Sequence, residues 1–379
     1  MKLFILQEKL KEGLKIVEKI SSKSNNLPIL NNILFETQKN FLSLSSTDLE
    51  IGIQWWGLAK VEKEGSALLP SLLFSNFVNL LPNKQISIEK KENFLYITCE
   101  DYKAKIKSLS PEDFPIFPQT DNNYYIEINS EEFCESLQQV VEITSISHSR
   151  PEFTGIYIIL NKDFIKLVAT DSFRLGEKTI FLNKNKISMN LPDEELSFIL
   201  PQKTAREIIN IFKIKKSRLK MYISPNYVLF EKKMEEIDHN EIKLISRLIE
   251  GEYPSYQDVI PKKFNIQVVV DKNKLLNQLK TASLFSGKNN EITLKLNPKK
   301  EEIIISSQDF DYGEHQSILK GKIKGEEIEL SFNQRFLIHG LSFINGSEIF
   351  LGINDCNSPV VLKSLTDQSY LYIVMPKTI

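Results

Sequence analysis

Apolar residues recur at helical spacing in three widely separated places. Leu10, Leu14 and Val17 share one face of a segment over 7–20, Phe133, Leu137 and Val140 one over 130–143, and Leu275, Leu279 and Ala282 one over 272–285. A short β-rich run precedes each predicted helix, at 2–6, 125–128 and 266–270. Another apolar strand follows each, at 33–35, 155–160 and 292–296, and then a strand that stops at an acidic turn. Those strands end on Asp48, Asp171 and Asp309. A second short helix is predicted after Leu69-Pro70-Ser71, Leu200-Pro201-Gln202 and Leu330-Ser331-Phe332. Paired strands close each pattern, at 86–88 with 95–98, 219–223 with 228–231, and 349–353 with 360–362.

The same order of elements thus occurs three times, at a period too long for a solenoid. Each repeat reads as a β-rich domain of about 125 residues with two helices, an α+β arrangement. Turn-rich stretches with Pro115, Pro118, Gly251, Pro254 and Pro261 separate them, so domains are expected at 1–120, 121–250 and 251–379.

Charge narrows the function. The 48 Lys and Arg against 49 Asp and Glu give a formal net charge of −1, unlike a protein that grips DNA through a broad phosphate-neutralising surface. Cys99, Cys134 and Cys356 are far apart and form no CxxC, which fits a reducing cytoplasm. No apolar run is long enough for a transmembrane helix, and the opening Leu3-Phe4-Ile5-Leu6 is broken by Gln7-Glu8-Lys9, too early for a signal-peptide core. No phosphate-binding loop, dinucleotide fingerprint or HExxH is present, and the four histidines are scattered. The repeated aspartates resemble catalytic carboxylates only in number; at strand ends Asp is ordinarily a turn former. No catalytic residue, metal site or cofactor is expected.

One set of motifs is recognisable. Ala169-Thr170-Asp171-Ser172-Phe173-Arg174-Leu175, with Leu27-Pro28-Ile29-Leu30, Gly251-Glu252-Tyr253-Pro254-Ser255-Tyr256 and Tyr372-Ile373-Val374-Met375-Pro376, resembles the bacterial sliding-clamp family, the β subunit of DNA polymerase III. The resemblance covers the whole chain. It implies a DNA-clamp fold of three similar domains and a head-to-tail homodimeric ring, its helices lining a hole around double-stranded DNA without reading sequence. It also implies a cleft between the second and third domains for the polymerase III catalytic subunit, the clamp loader and other proteins carrying a clamp-binding motif. Matching the motifs residue by residue assigns Phe153, Thr170, Ser172, Phe173, Arg174, Leu175, Pro254 and Val259 to one side of that cleft. Asn333, Phe336, Ser358, Pro359, Val360, Ile373, Val374, Met375 and Pro376 fall on the other. Ser172-Phe173 replaces a usual Gly-His pair, Asp258 stands where a basic residue is frequent, and the tail reads Lys377-Thr378-Ile379.

A ring needs little intrinsic affinity for DNA, because topology prevents escape while weak contacts permit sliding; near-zero net charge then suits it. Lys15 and Lys19, Lys274 and Lys280 lie away from the apolar faces of their helices, and with Lys23, Arg150 and Lys203 they form the expected DNA-facing set. Only six basic residues are Arg, and two of them, Arg174 and Arg335, fall in or beside cleft motifs. For ring closure, alternation puts Lys103, Lys105 and Lys107 on one face of a first-domain strand, with Ile106 and Leu109 as apolar neighbours. Asp309, Asp311 and Glu314 cluster in the third domain as their counterparts. The alternative readings are a β-rich scaffold that binds proteins but never DNA, and a hydrolase built on the repeated aspartates.

Overall fold

The structure, a computed structural model, describes residues 1–21, 27–115, 117–118, 124–147, 149–182, 188–213 and 217–377. Among these residues the order strand, helix, five strands, helix, three strands occurs three times, as the repeat requires. The helices are α1 (Gln7–Val17), α2 (Ser71–Leu80), α3 (Ser130–Val140), α4 (Gln202–Phe212), α5 (Lys272–Ser283) and α6 (Gln334–Phe343). Each strand-to-helix junction is tight, and among the described residues Asn129, Asp271 and Asn333 cap theirs: Asn129 Oδ1 accepts from the Glu131 amide at 2.9 Å and the Glu132 amide at 3.1 Å. The Asp271 carboxylate accepts from the Lys274 amide at 2.8 Å, and Asn333 Oδ1 accepts from the Arg335 amide at 3.0 Å. The first helix of each repeat ends earlier than its apolar spacing predicts. Ile20 stays buried because a turn, its amide donating to the Val17 carbonyl at 3.2 Å, carries it into the core without further helix.

The described residues group into two compact units. The first comprises those of 1–134, 184–192 and 206–248. It holds a five-stranded sheet in the order Lys60–Lys63, Lys2–Leu6, Gln85–Lys91, Phe94–Cys99, Tyr102–Lys107. Its nine-stranded sheet joins two repeats: Asn240–Arg247 pairs antiparallel with Ile51–Leu58, Leu244 facing Ile53. Trp55 anchors this core between two glycines. A Cβ on Gly13 would come within 2.4 Å of its ring and one on Gly57 within 2.1 Å, so both positions must lack a side chain.

The second unit comprises the described residues of 135–183, 193–205 and 249–379. Its nine-stranded sheet joins repeats in the same way, through Arg174–Phe181 and Tyr370–Val374, with Tyr372 facing Gly176. Its four-stranded sheet runs Gly313–Lys320, Glu302–Asp309, Glu291–Asn297, Ile328–Asn333. Two strands homologous to those at the joins are left at sheet edges: Tyr102–Lys107 in the first unit and Gly313–Lys320 in the second.

The repeated aspartates are turn formers. Asp48 Oδ1 accepts the Ile51 amide at 2.7 Å, Asp171 Oδ1 accepts the Phe173 and Arg174 amides at 3.0 Å each, and Asp309 Oδ1 accepts the Asp311 amide at 3.0 Å.

Candidate functional site

The site lies wholly in the second unit, where the strands Phe164–Thr170 and Arg174–Phe181 meet at a tight turn. Ser172 sits there at φ +75°, a conformation most side chains avoid. The Thr170 hydroxyl braces the turn by donating to the Arg174 carbonyl at 2.7 Å and accepting the Ser172 amide at 3.1 Å. Arg174 is then held on three sides. Its Nε donates to Asp171 Oδ2 at 2.9 Å, its terminal nitrogen donates to the Glu142 carbonyl at 2.6 Å, and its guanidinium lies 4.5 Å from the Phe336 ring centre.

Behind the turn, Leu175, Ile373 and Tyr256 form a buried cluster with Ile159, Val168 and Val361. The segment after Gly251 closes over it. The Tyr253 ring stacks on Tyr157 at 4.6 Å and meets Phe153 edge-on at 5.7 Å, and the Tyr256 hydroxyl donates to Glu177 Oε2 at 2.6 Å. Burial raises both phenols well above the usual tyrosine range, with Glu177 adding to the effect on Tyr256. Met375 completes the wall, its amide donating to the Phe173 carbonyl at 2.8 Å.

These elements enclose a mostly apolar cavity of about 430 Å³, lined by Arg150, Phe153, Thr170, Ser172, Phe173, Arg174, Leu175, Tyr253, Pro254, Ser255, Tyr256, Val259, Pro359, Ile373 and Met375. Phe173 and Val259 stand exposed at its lip. Eight residues from one expected side line it, with Pro359, Ile373 and Met375 from the other. Asn333, Phe336, Ser358, Val360, Val374 and Pro376 do not. Asn333 caps α6, Phe336 receives the Arg174 guanidinium, and Ser358 donates to Asp355 at 2.6 Å. Val360 and Val374 face each other across their ladder and are fully buried, so alternation turns them away from Ile373. Arg150, expected to face DNA, instead lines the cavity with its guanidinium 4.3 Å from the Phe153 ring centre. Tyr253, Ser255 and Tyr256 were not assigned from the sequence, although their segment carries one of the recognised motifs.

His339 lies just behind Arg174's support, its ring 5.2 Å from Phe343 and both ring nitrogens buried without a hydrogen-bond partner. Burial, aided by the Arg174 charge, lowers its pKa to about 4. Unfolded chains take up this proton below about pH 6.5 while the native state refuses it until about pH 4. His339 therefore contributes its full share above pH 6.5 and loses stability as pH falls through that window, by at most about 3 kcal/mol. Thermal unfolding of His339→Gln beside the parent, from pH 7 to pH 4.5, should show the parent losing more stability than the variant.

Of the expected DNA-facing lysines, Lys15 on α1, Lys19 in the turn after it, Lys203 on α4, and Lys274 and Lys280 on α5 are exposed; Lys23 lies outside the described residues. On the strand Tyr102–Lys107, Lys103, Lys105 and Lys107 are exposed, while Ile106 is only 6% exposed and belongs to the core. It cannot contribute apolar contact outward, whereas Leu109 is exposed. Glu314 lies on the edge strand Gly313–Lys320, and Asp309 and Asp311 form the turn leading into it.

Three-domain architecture, sheet-to-sheet joins and a cleft beside the second join define a clamp fold. Solved structures agree: a DNA polymerase sliding clamp from Bacillus subtilis superposes with a TM-score of 0.92 at 24% identity, covering 100% of this chain and 99% of that one. A putative DNA polymerase III beta subunit from Eubacterium rectale gives 0.92 at 23% identity, covering both chains in full. Among curated relatives, the beta sliding clamp of Synechococcus elongatus is 29% identical over 384 residues and that of Bacillus subtilis 26% over 390, each covering 99% of both chains. The N-terminal, central and C-terminal domains of the DNA polymerase III beta subunit match residues 1–118, 127–255 and 257–378. The chain belongs to the DNA polymerase III beta subunit family.

Proposed function

We infer that this DNA polymerase sliding clamp works as a closed ring of two copies joined head to tail, without catalysis of its own, and that it presents the cavity around Arg174 and Met375 to short apolar peptides of its partners. The observation that carries the reading is the pair of open edges in a chain whose two internal joins use the homologous strands.

The internal joins set the register of the third. Leu244 and Tyr372 correspond to Ala104, each reached through equivalent ladder partners: Phe230 then Met221, Leu362 then Leu351, Ile97 then Ile88. Ile53 and Gly176 correspond to His315, being opposite Ser46, Ala169 and Ser307. A join in the same register puts Ala104 of one copy against His315 of the other, and Lys105 against Glu314. The Met375 and Arg247 amides both donate to the turn at their join, to Phe173 and Glu50. Lys107 is their equivalent and would donate to the turn before Gly313. Charge here selects partner and register, since exposed ion pairs contribute only about 0–1 kcal/mol each.

Apolar contact comes from the helices. At the first join α1 lies beside α4, Ile16 lining one cavity with Ile211 and Phe212 while Lys19, in the turn after α1, puts its Nζ 3.5 Å from the Asn210 carbonyl, so α5 of one copy should meet α2 of the other. Their exposed leucines fit this role: Leu72, Leu73 and Leu80 on α2, and Leu284 at the end of α5.

The exposed lysines of α1, of the turn after it and of α5 face DNA in such a ring and contribute weak, sequence-independent attraction. Replacing Lys15, Lys19, Lys274 and Lys280 by Glu should reduce loading onto circular DNA about tenfold at moderate salt. Dimer mass and peptide affinity should be unchanged. Normal loading of the fourfold variant would contradict the lysines' role.

A further inference from the structure

The five-stranded sheet of the first unit packs one face on the core through Leu3, Ile86 and Leu95, all fully buried. Its other face carries one pattern three times. The ladders set Lys60, Phe4, Ser87, Thr98 and Lys103 in a row across the sheet. The next row runs Lys2, Glu89, Tyr96, Lys105, and the third Lys91, Phe94, Lys107. Each row thus has a lysine at both ends and one aromatic ring between them. Residues two apart on a strand space neighbouring rows at about 6.6 Å.

The charges on this face do not cancel. Its carboxylates are engaged, Glu62 with Lys2 at 2.8 Å and Glu89 with Lys91 at 3.0 Å. Lys60, Lys103, Lys105 and Lys107 have no carboxylate within ion-pair distance among the described residues. This excess stands on a chain whose formal net charge is −1. The rings are within reach of solvent, Tyr96 being 37% exposed and Phe4 and Phe94 half-buried. Ammonium groups stand beside them: Lys60 lies 5.9 Å from the centre of Phe4, Lys91 5.7 Å from Tyr96 and Lys105 4.0 Å from Phe94. A base can therefore lie on a ring while the neighbouring lysine takes its phosphate. Phosphates or acidic side chains alone would call only for the lysines. The interleaved rings add a demand for flat π-faces, which unpaired bases present and a duplex keeps inside its stack.

We propose that this sheet face binds single-stranded DNA without reading its sequence, as a site separate from the lysines of α1 and α5 and from the cleft around Arg174. Lys105 also meets Glu314 in the join inferred above, so the test leaves it in place.

A fluorescent oligothymidylate should bind the full-length protein with a Kd of roughly 10 μM in about 50 mM salt, read by anisotropy. Phe4→Ser with Tyr96→Ser removes two stacking faces and should weaken binding about tenfold or more. Lys60→Gln with Lys91→Gln keeps the rings and should flatten the dependence of log Kd on log salt by about 1.4. Both double variants should retain the parent's dimer mass, circular dichroism spectrum and loading onto circular duplex. Displacement of the oligonucleotide by polyglutamate, by phosphatidylglycerol vesicles or by a duplex as readily as by unlabelled single strand would overturn the proposal. So would full affinity in the folded Phe4/Tyr96 variant, or an unchanged salt slope in the lysine variant.

Discussion

Lys105→Pro should convert the dimer to monomers at concentrations where the parent is fully associated, raising the dissociation constant about a hundredfold or more. The Ser108 amide donates inward to the Asn93 carbonyl at 2.8 Å, so along this strand the amides of Lys103, Lys105 and Lys107 point outward from the sheet. Proline at 105 removes an outward donor and places a ring where the second copy's strand must approach, yet spares every bond to Phe94–Cys99. The fold should therefore persist, seen as an unchanged circular dichroism spectrum and a melting temperature within a few degrees of the parent's. A charge swap isolates the register. Lys105→Glu and Glu314→Lys should each weaken the dimer, and the two variants mixed should recover much of the loss. Sedimentation showing a Lys105→Pro dimer as tight as the parent's would remove this edge from the interface.

Deleting residues 375–379 should weaken binding of a polymerase-derived clamp-binding peptide about a hundredfold, and Met375→Ala about tenfold. Met375 lines the cavity, and its amide holds the turn that carries Phe173. The deletion also removes Lys377, whose amide donates to the Ser331 carbonyl at 2.7 Å and ties the tail to the third repeat's sheet. The point variant loses only a flexible apolar wall, so it should lose less. Peptide anisotropy with either variant gives the answer. Unchanged affinity in the deletion variant, with thermal unfolding intact, would move the peptide site elsewhere.

Periodicity carried much of the architecture. The apolar faces of Leu10, Leu14 and Val17, and of Leu275 and Leu279, are buried as their spacing requires, and the β-rich runs are strands. Helix ends were less legible, because Ile20 keeps the apolar pattern going after the hydrogen-bonded helix has stopped. In the cleft, Asp171 was readable as a turn former because that chemistry is local, while the other residues of the turn Thr170–Leu175 were assigned by the resemblance of their motif; the left-handed Ser172 and the arginine that folds back on Asp171 are seen only in the structure. What the sequence did not show depends on contacts distant along the chain. Val360 and Val374 are neighbours of lining residues, but strand alternation buries them on the other side. Tyr253 and Tyr256 sit in a stretch that reads as a linker, and only the packing of Tyr253 on Tyr157 and of Tyr256 on Glu177 shows them as walls. Arg150 carried no local signal at all. Trp55 gave none either, since its two glycine neighbours are separated from each other by more than forty residues of chain.

Encirclement of DNA is the central claim, and retention on closed against opened circles tests it most directly. The protein is loaded by a clamp loader onto nicked circular duplex and freed of unbound material by gel filtration in high salt, where charge attraction to phosphates is suppressed. Half the sample is then cut once with a restriction enzyme. The ring should co-elute with the circles and leave the linear molecules within minutes by sliding off their ends. Equal retention on both forms would mean the protein grips DNA, and loss from both would mean it does not surround it.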